Sequence, residues 1–248
     1  MKPLRAVTGL LLALPVALAG QKIIVHLSPK TNDAFDKYVA AAEGKMDWKP
    51  RTSAKGGDVD VAAMGGTPID VEDGMIHDWA GGVLVKGGTV EKALAVFQDY
   101  AGYKKVFAPE VLDSQQLSHD GDRWGSRLRI SRRSGLISVT YDAEYAIEYR
   151  QLDEGRWAIQ SHSTKISELG DGNKPMADGT GQGFLWRMNS YWLIEPRRDG
   201  VYLECRAISL SRDIPTGLGW IVRPMVSTVP RDSLKATVEE ARNSLRVH

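Results

Sequence analysis

Arg187, Asn189 and Tyr191 occupy alternate positions of one strand-like run, GFLWRMNSYWLIEP, at residues 183–196. Alternate residues of a strand share a face, so this spacing sets a cation, an amide and a phenol side by side. Such groups can orient a ligand in an otherwise apolar pocket; they serve equally as solvent-facing residues or as ties to neighbouring loops. Trp186, Trp192, Tyr145, Tyr202 and Trp220 supply bulk for a pocket wall, or for ordinary core. Glu204 and Arg206 alternate with Leu203 and Cys205, so they lie on the face opposite the cysteine, and Glu204 is placed to pair with Arg187 across a hairpin. Acid–base chemistry would draw on Arg187, Tyr191, Glu204 and His162, provided that they converge.

Other chemistries find less support. The five histidines, His26, His77, His119, His162 and His248, show no paired spacing and no cysteine nearby, which argues against a zinc site. His162 is the histidine set within an expected strand, where it reads as a satisfied structural residue; Ser161-His162-Ser163 is adjacency, not a nucleophile triad. The glycines at 179, 181 and 183 lack a following helix and a Lys-Ser/Thr pair, so they read as a loop or lid and not as a phosphate cradle. Cys205 is the single cysteine and cannot form an internal disulfide; its apolar neighbours predict an inert buried thiol. No cofactor motif is present. Arg123, Arg127, Arg129, Arg132 and Arg133 spread along one alternating segment and read as a solvated strand face, not the clustered field that nucleic acid requires.

The elements that must position these residues follow from periodicity. Arg197–Gly200 is a polar turn joining the run ending at Pro196 to one beginning at Val201. Further strands are expected over 76–86, 111–118, 123–131, 137–149 and 156–169, with a loop at 170–183. A helix capped by Thr31 or Asn32 is expected to run to Glu43, and Thr89 caps another in which Val90, Ala93, Leu94 and Phe97 share a face. A segment starting at Pro215-Thr216-Gly217 is expected to break at Pro224 and Pro230. Pro230 then opens a final helix with Leu234, Val238, Ala241 and Leu245 on one side.

With 248 residues, 42% hydrophobic and 25% charged, the chain suits one globular domain with an extension. Lys2 and Arg5 precede an apolar run from Ala6 to Leu18, and Ala17-Leu18-Ala19 offers a small-x-small cleavage pattern, so residues 1–19 read as a signal peptide. The run is shorter than the roughly 20 residues that a membrane span needs. Cleavage after Ala19 turns a formal charge of +1 into −1. Residues 20–74, rich in glycine with weak periodicity, read as an N-terminal extension carrying one short helix. The remainder, 75–246, reads as the main domain.

The run VLVKGGTVEKALAVFQDYAGYKKVFAPEVLDSQQL, with Asp99, Tyr100, Tyr103, Phe107 and Pro109, resembles the opening block of the START-like superfamily. That group includes polyketide cyclase/dehydrase-like (SRPBCC) and coenzyme Q-binding proteins. Residues 183–222 are similar to the end of the domain in an exported bacterial branch. The resemblance implies an α+β helix-grip fold, a curved antiparallel sheet wrapped around a long C-terminal helix, with a cavity between them. It implies an exported, periplasmic or secreted carrier of a lipophilic molecule such as a lipid, quinone or polyketide. The expected partners are that apolar ligand and, transiently, a membrane, with no nucleic acid and no cofactor. The alternatives are a cyclase- or hydrolase-like enzyme, or a structural, partner-binding module.

Overall fold

Alternation over 137–149 becomes the longest strand of an antiparallel sheet with nine strands among the described residues. The computed structural model describes residues 24–54, 57–66, 68–134, 137–213 and 219–246, without the side chains of 133, 134, 137 and 219–227. The expected signal peptide and the expected helix start at Pro215-Thr216-Gly217 lie outside them. Elements follow in the order β1 (Val25–His26), α1 (Pro29–Glu43), β2 (Asp60–Ala63), β3 (Ile69–Val71), β4 (Gly74–Lys86), α2 (Val90–Gln98), α3 (Tyr103–Val106), β5 (Val111–Asp120), β6 (Arg123–Ser134), β7 (Ile137–Gln151), β8 (Trp157–Glu168), β9 (Thr180–Gly181), β10 (Arg187–Arg197), β11 (Gly200–Arg212) and α4 (Gly219–Arg246). The sheet runs β2-β4-β11-β10-β8-β7-β6-β5, with β3 also paired to β4. Register shifts within the β5–β6 and β7–β8 pairs add the local twist that curls such a sheet.

Helix α4 lies along the inner face. Leu234, Val238, Ala241 and Leu245 are buried as their spacing predicts, and fully burying such an aliphatic side chain stabilises by roughly 1.5–3 kcal/mol. A Cβ on Gly81 would meet Leu234 at 3.3 Å, and Arg242 Nη1 donates to the Gly57 carbonyl at 2.7 Å. The helix is continuous through Pro224 and Pro230, whereas the sequence predicts a break there. A proline removes one backbone donor and strains the preceding turn, and both turns are carried within the one helix. Helix α2 closes the same side. Thr89 Oγ1 caps it by accepting from Lys92 N–H, and Val90, Ala93 and Phe97 are buried.

The outer face is covered as well, by α1. Its cap is Ser28, whose Oγ accepts from Thr31 N–H, with Pro29 in the first turn; this corrects the expected Thr31 or Asn32 cap. Phe35 and Val39 pack on Ile76, Trp186, Tyr191, Ile208 and Leu210. The stretch expected to be irregular contributes β2 and β3 to the sheet, and the 170–183 loop is held to the N-terminal segment by β9 pairing with β1. Strands β4, β10 and β11 therefore carry apolar residues on both sides.

Candidate functional site

Parity along β10 separates two environments. Met188, Ser190, Trp192 and Ile194 face α4, whereas Asn189 and Tyr191 face the side covered by α1. The trio expected to orient a ligand inside the cavity is thus placed on the other side of the sheet, and this is a correction of facing. Arg187 Nη1 donates to the Trp186 carbonyl at 2.9 Å and reaches Asp178 at 3.4 Å. Asn189 Oδ1 accepts from Ser163 N–H, and Tyr191 OH donates to Glu43 Oε1 at 2.8 Å. His162 Nε2 meets the same Glu43 oxygen at 2.7 Å. Burial, with the Glu43 carboxylate beside it, holds the Tyr191 phenol well above its usual range. Replacing Tyr191 by phenylalanine removes one bond from this set. The expected cost is about 1 kcal/mol, read as a lowered urea midpoint at unchanged slope.

The other nominated residues divide between the faces. Trp192 and Tyr145 belong to the inner core, and the Trp192 ring lies 4.6 Å from that of Phe97. Trp186 precedes the strand and packs outside with α1, on the side opposite Trp192. Tyr202 is also outside: its OH donates to Glu204 at 2.7 Å. The side chain of Trp220 is outside the described residues. Glu204 stands opposite Leu193, not Arg187. Its carboxylate accepts from Arg51 N–H at 2.9 Å and Thr52 N–H at 2.8 Å, fastening the N-terminal segment where a side chain at Gly82 would collide with Thr52 and Tyr202. Cys205 is buried and its thiol pushed up by burial, the inert state expected of it.

Of the arginine stripe, Arg127 and Arg129 clamp Asp142 on the outer face. Arg129, then Arg127, hold that carboxyl below its ordinary range against burial. Arg132 departs from the solvated reading. It pairs across the sheet with Val139, points to the inner face, and forms an ion pair with Glu110. Burial lowers its pKa.

The inner face is tightly filled at one end and looser at the other. Trp192, Ile194, Val201, Leu203 and Cys205 are buried beneath α2 and α4. Tyr149 OH donates to the Phe97 carbonyl at 2.7 Å and bonds Tyr100 OH at 2.7 Å, closing that end. Further along the same rows, Met188, Ser190, Ser161, Ala207 and Ser209 remain half-buried, although they sit in central strands. These side chains, mostly small, make an incompletely covered row on the inner face, with Trp79 beside Ala207 on the neighbouring strand.

Two buried polar atoms lie beside that row. His77 and Trp79 stand on the inner row of β4, opposite Ser209 and Ala207. His77 Nδ1 and Trp79 Nε1 find no hydrogen-bond partner among the described residues. The His77 side chain is 2% exposed, and burial lowers its pKa to about 4, so the ring is neutral at pH 7. Sequence reasoning counted His162 alone within a strand and passed over His77. The signal was its place at the start of the 76–86 strand, on the row of Trp79. On the outer face, a shallow hollow of about 380 Å³ lies at the β10–β11 turn beside Arg197, Arg198 and Tyr202, open to solvent.

No family model and no curated protein matches the chain. Solved structures do. The STAR-related lipid transfer protein of Xanthomonas axonopodis (fragment 25–204) superposes with a TM-score of 0.51 at 16% identity, covering 76% of this chain and 98% of that one. The lipid transfer and protein localization domain of human StarD13 gives 0.52 at 14% identity, covering 89% and 98%. Both align over nearly their whole length, with the curved antiparallel sheet and the long C-terminal helix in common. The chain therefore has the helix-grip fold of the START-like superfamily.

Proposed function

We propose that the chain is an exported binding protein that holds a lipophilic small molecule between its sheet and α4, as carrier or sequestering module. The observation that carries this reading is the half-buried inner row, Met188, Ser190, Ser161, Ala207 and Ser209, in central strands whose other end is fully packed. Room left above small side chains in such a place suits an apolar guest, whose burial drives binding. The names of both similar structures speak of lipid transfer, and this supports the same class of ligand here. Export rests on Lys2 and Arg5, the apolar run to Leu18 and the Ala17-x-Ala19 pattern. A cyclase- or hydrolase-like reading is less favoured, because Tyr191, Glu204 and His162 are turned to the outer face and engaged by Glu43, Arg51 and Thr52.

The test is native mass spectrometry and solvent extraction of the mature protein, with titration by the neutral fluorophore N-phenyl-1-naphthylamine. Binding of the fluorophore and recovery of an apolar molecule are expected. Ser190→Trp, which adds bulk on that row, should weaken fluorophore binding at least tenfold, whereas Lys86→Trp, exposed at the far end of β4, should not. An empty protein that ignores the fluorophore would sink the proposal.

A further inference from the structure

The hollow of about 380 Å³ at the β10–β11 turn belongs to the outer face. Arg197 follows Leu193 and Glu195 on one row of β10, and Tyr202 stands opposite Glu195 on β11. Its floor is apolar, with Leu84 and Ala54 half-buried beside the Tyr202 ring. The neutral polar groups around it are already engaged. The Thr52 and Tyr202 hydroxyls meet at 2.6 Å, Tyr202 OH donates to Glu204 at 2.7 Å, and Ser53 Oγ donates to Asp60 at 3.2 Å. Two cations and one acid, Arg197, Arg198 and Asp199, complete the lining. The arginines differ in what they have left to give. Arg197 Nη2 donates to Glu195 at 2.9 Å, and its Cζ lies 5.3 Å from the centroid of the Tyr202 ring, a cation–π contact that holds it at the edge of the hollow. Arg198 is exposed in the turn, and no hydrogen bond or ion pair engages its guanidinium among the described residues.

We infer that this hollow is a second binding site, for a small organic oxyanion: an apolar ring bearing a carboxylate or phosphate group, with the ring against Leu84 and Ala54 and the oxyanion on Arg198. It stands on other residues than the inner row and does not depend on the lipophilic reading. A guanidinium offers five donors in a planar fork that matches carboxylate and phosphate oxygens. An open fork at the mouth of a concave, apolar-floored space suits a ligand held by one charged group and by its body together. Neither part suffices alone. An inorganic oxyanion meets only an exposed fork in water, where a single charge pair is worth little, and a neutral ring leaves the fork unused. Asp199 opposes the anion from the rim, so its charge weakens the site without abolishing it.

The test is isothermal titration calorimetry of the mature protein at neutral pH with phenyl phosphate, benzoate, benzyl alcohol and inorganic phosphate. Phenyl phosphate and benzoate should each bind about tenfold more tightly than benzyl alcohol or inorganic phosphate. Arg198→Gln should weaken both ring anions at least about fivefold, and Ala54→Trp, which occupies the floor without changing a charge, should do the same. Asp199→Asn should strengthen them about threefold. Lys105→Gln is the control for loss of a surface cation and should leave them unchanged, because its helix α3 docks on β5, at the far edge of the sheet, where Lys104 N–H donates to Ser114 Oγ at 3.0 Å. Neither anion should displace N-phenyl-1-naphthylamine. Benzyl alcohol binding as tightly as the ring anions, inorganic phosphate matching phenyl phosphate, or affinities unmoved by Arg198→Gln would each overturn the second site, as would a parent that binds neither ring anion. Displacement of the fluorophore by the anions overturns it too and leaves the lipophilic reading standing. A parent that binds the anions but ignores the fluorophore sinks the lipophilic reading alone.

Discussion

Replacing Asp78 by alanine is expected to destabilise the fold by about 3–5 kcal/mol, the range for removing one partner of a buried ion pair. Asp78 is completely buried on the outer side of β4. The Arg206 guanidinium grips it with two bonds, Nε to Oδ1 at 2.9 Å and Nη2 to Oδ2 at 2.6 Å, and Tyr38 OH of α1 donates to Oδ2 at 2.7 Å. Arg206 is itself mostly covered, so the substitution leaves a cation beneath α1 with no counter-charge. Burial, reinforced by the bond to Asp78, raises the Tyr38 phenol to about 12. The check is urea unfolding of Asp78→Ala, Arg206→Met and the double variant. Because the cost is that of an orphaned charge and not of the pair itself, the double variant should recover much of the loss. A single-variant loss below about 1 kcal/mol would show that the pair is not shielded from water.

Stability should also fall in mild acid because of His77. Its folded pKa, lowered to about 4 by burial, lies below the ordinary 6.5. Above pH 6.5 the ring is neutral in both folded and unfolded chains, and no penalty applies. As the pH drops from 6.5 toward 4, the unfolded chain takes up a proton that the folded one refuses, and stability is lost at up to 1.36 kcal/mol per pH unit. Over that window the loss is about 3 kcal/mol. Carboxylates titrate in the same range, so the informative quantity is the difference between the parent and His77→Phe. That variant should lack this part of the decline, and parallel stability curves for the two proteins from pH 7 to pH 4.5 would contradict the assignment.

Much of the fold could be read from periodicity, because the strands of the 123–169 meander and the Leu234–Leu245 face obey one repeat each. Their far sides are polar, so the buried side announces itself. Strand β10 behaves otherwise. Tyr191 and Leu193 are buried under the N-terminal segment, and Trp192 and Ile194 under the helices. Period two says which residues share a face, but a strand covered on both sides offers no polar row to say which face is which. The ligand-facing assignment of Asn189 and Tyr191 inverted for that reason. Trp186 went astray for another: it precedes β10, where alternation does not hold. The half-buried inner row is harder still to see, since serine and alanine in a strand carry no outward mark of what they leave room for.

The covering of the outer face has a consequence in time. Its bonds join residues far apart in the chain: Glu43 to His162 across 119 positions, His26 to Thr180 across 154, and Arg51 to Glu204 across 153. Whichever way the chain is delivered, N-terminus first, α1 emerges long before β10 and β11 exist to receive it. A 15-residue helix of this composition is marginal by itself, so its apolar side waits unpaired while most of the polypeptide arrives. Docking of α1 is then a late event, closing loops of great length in one step, and a slow one compared with pairing of the neighbouring meander strands.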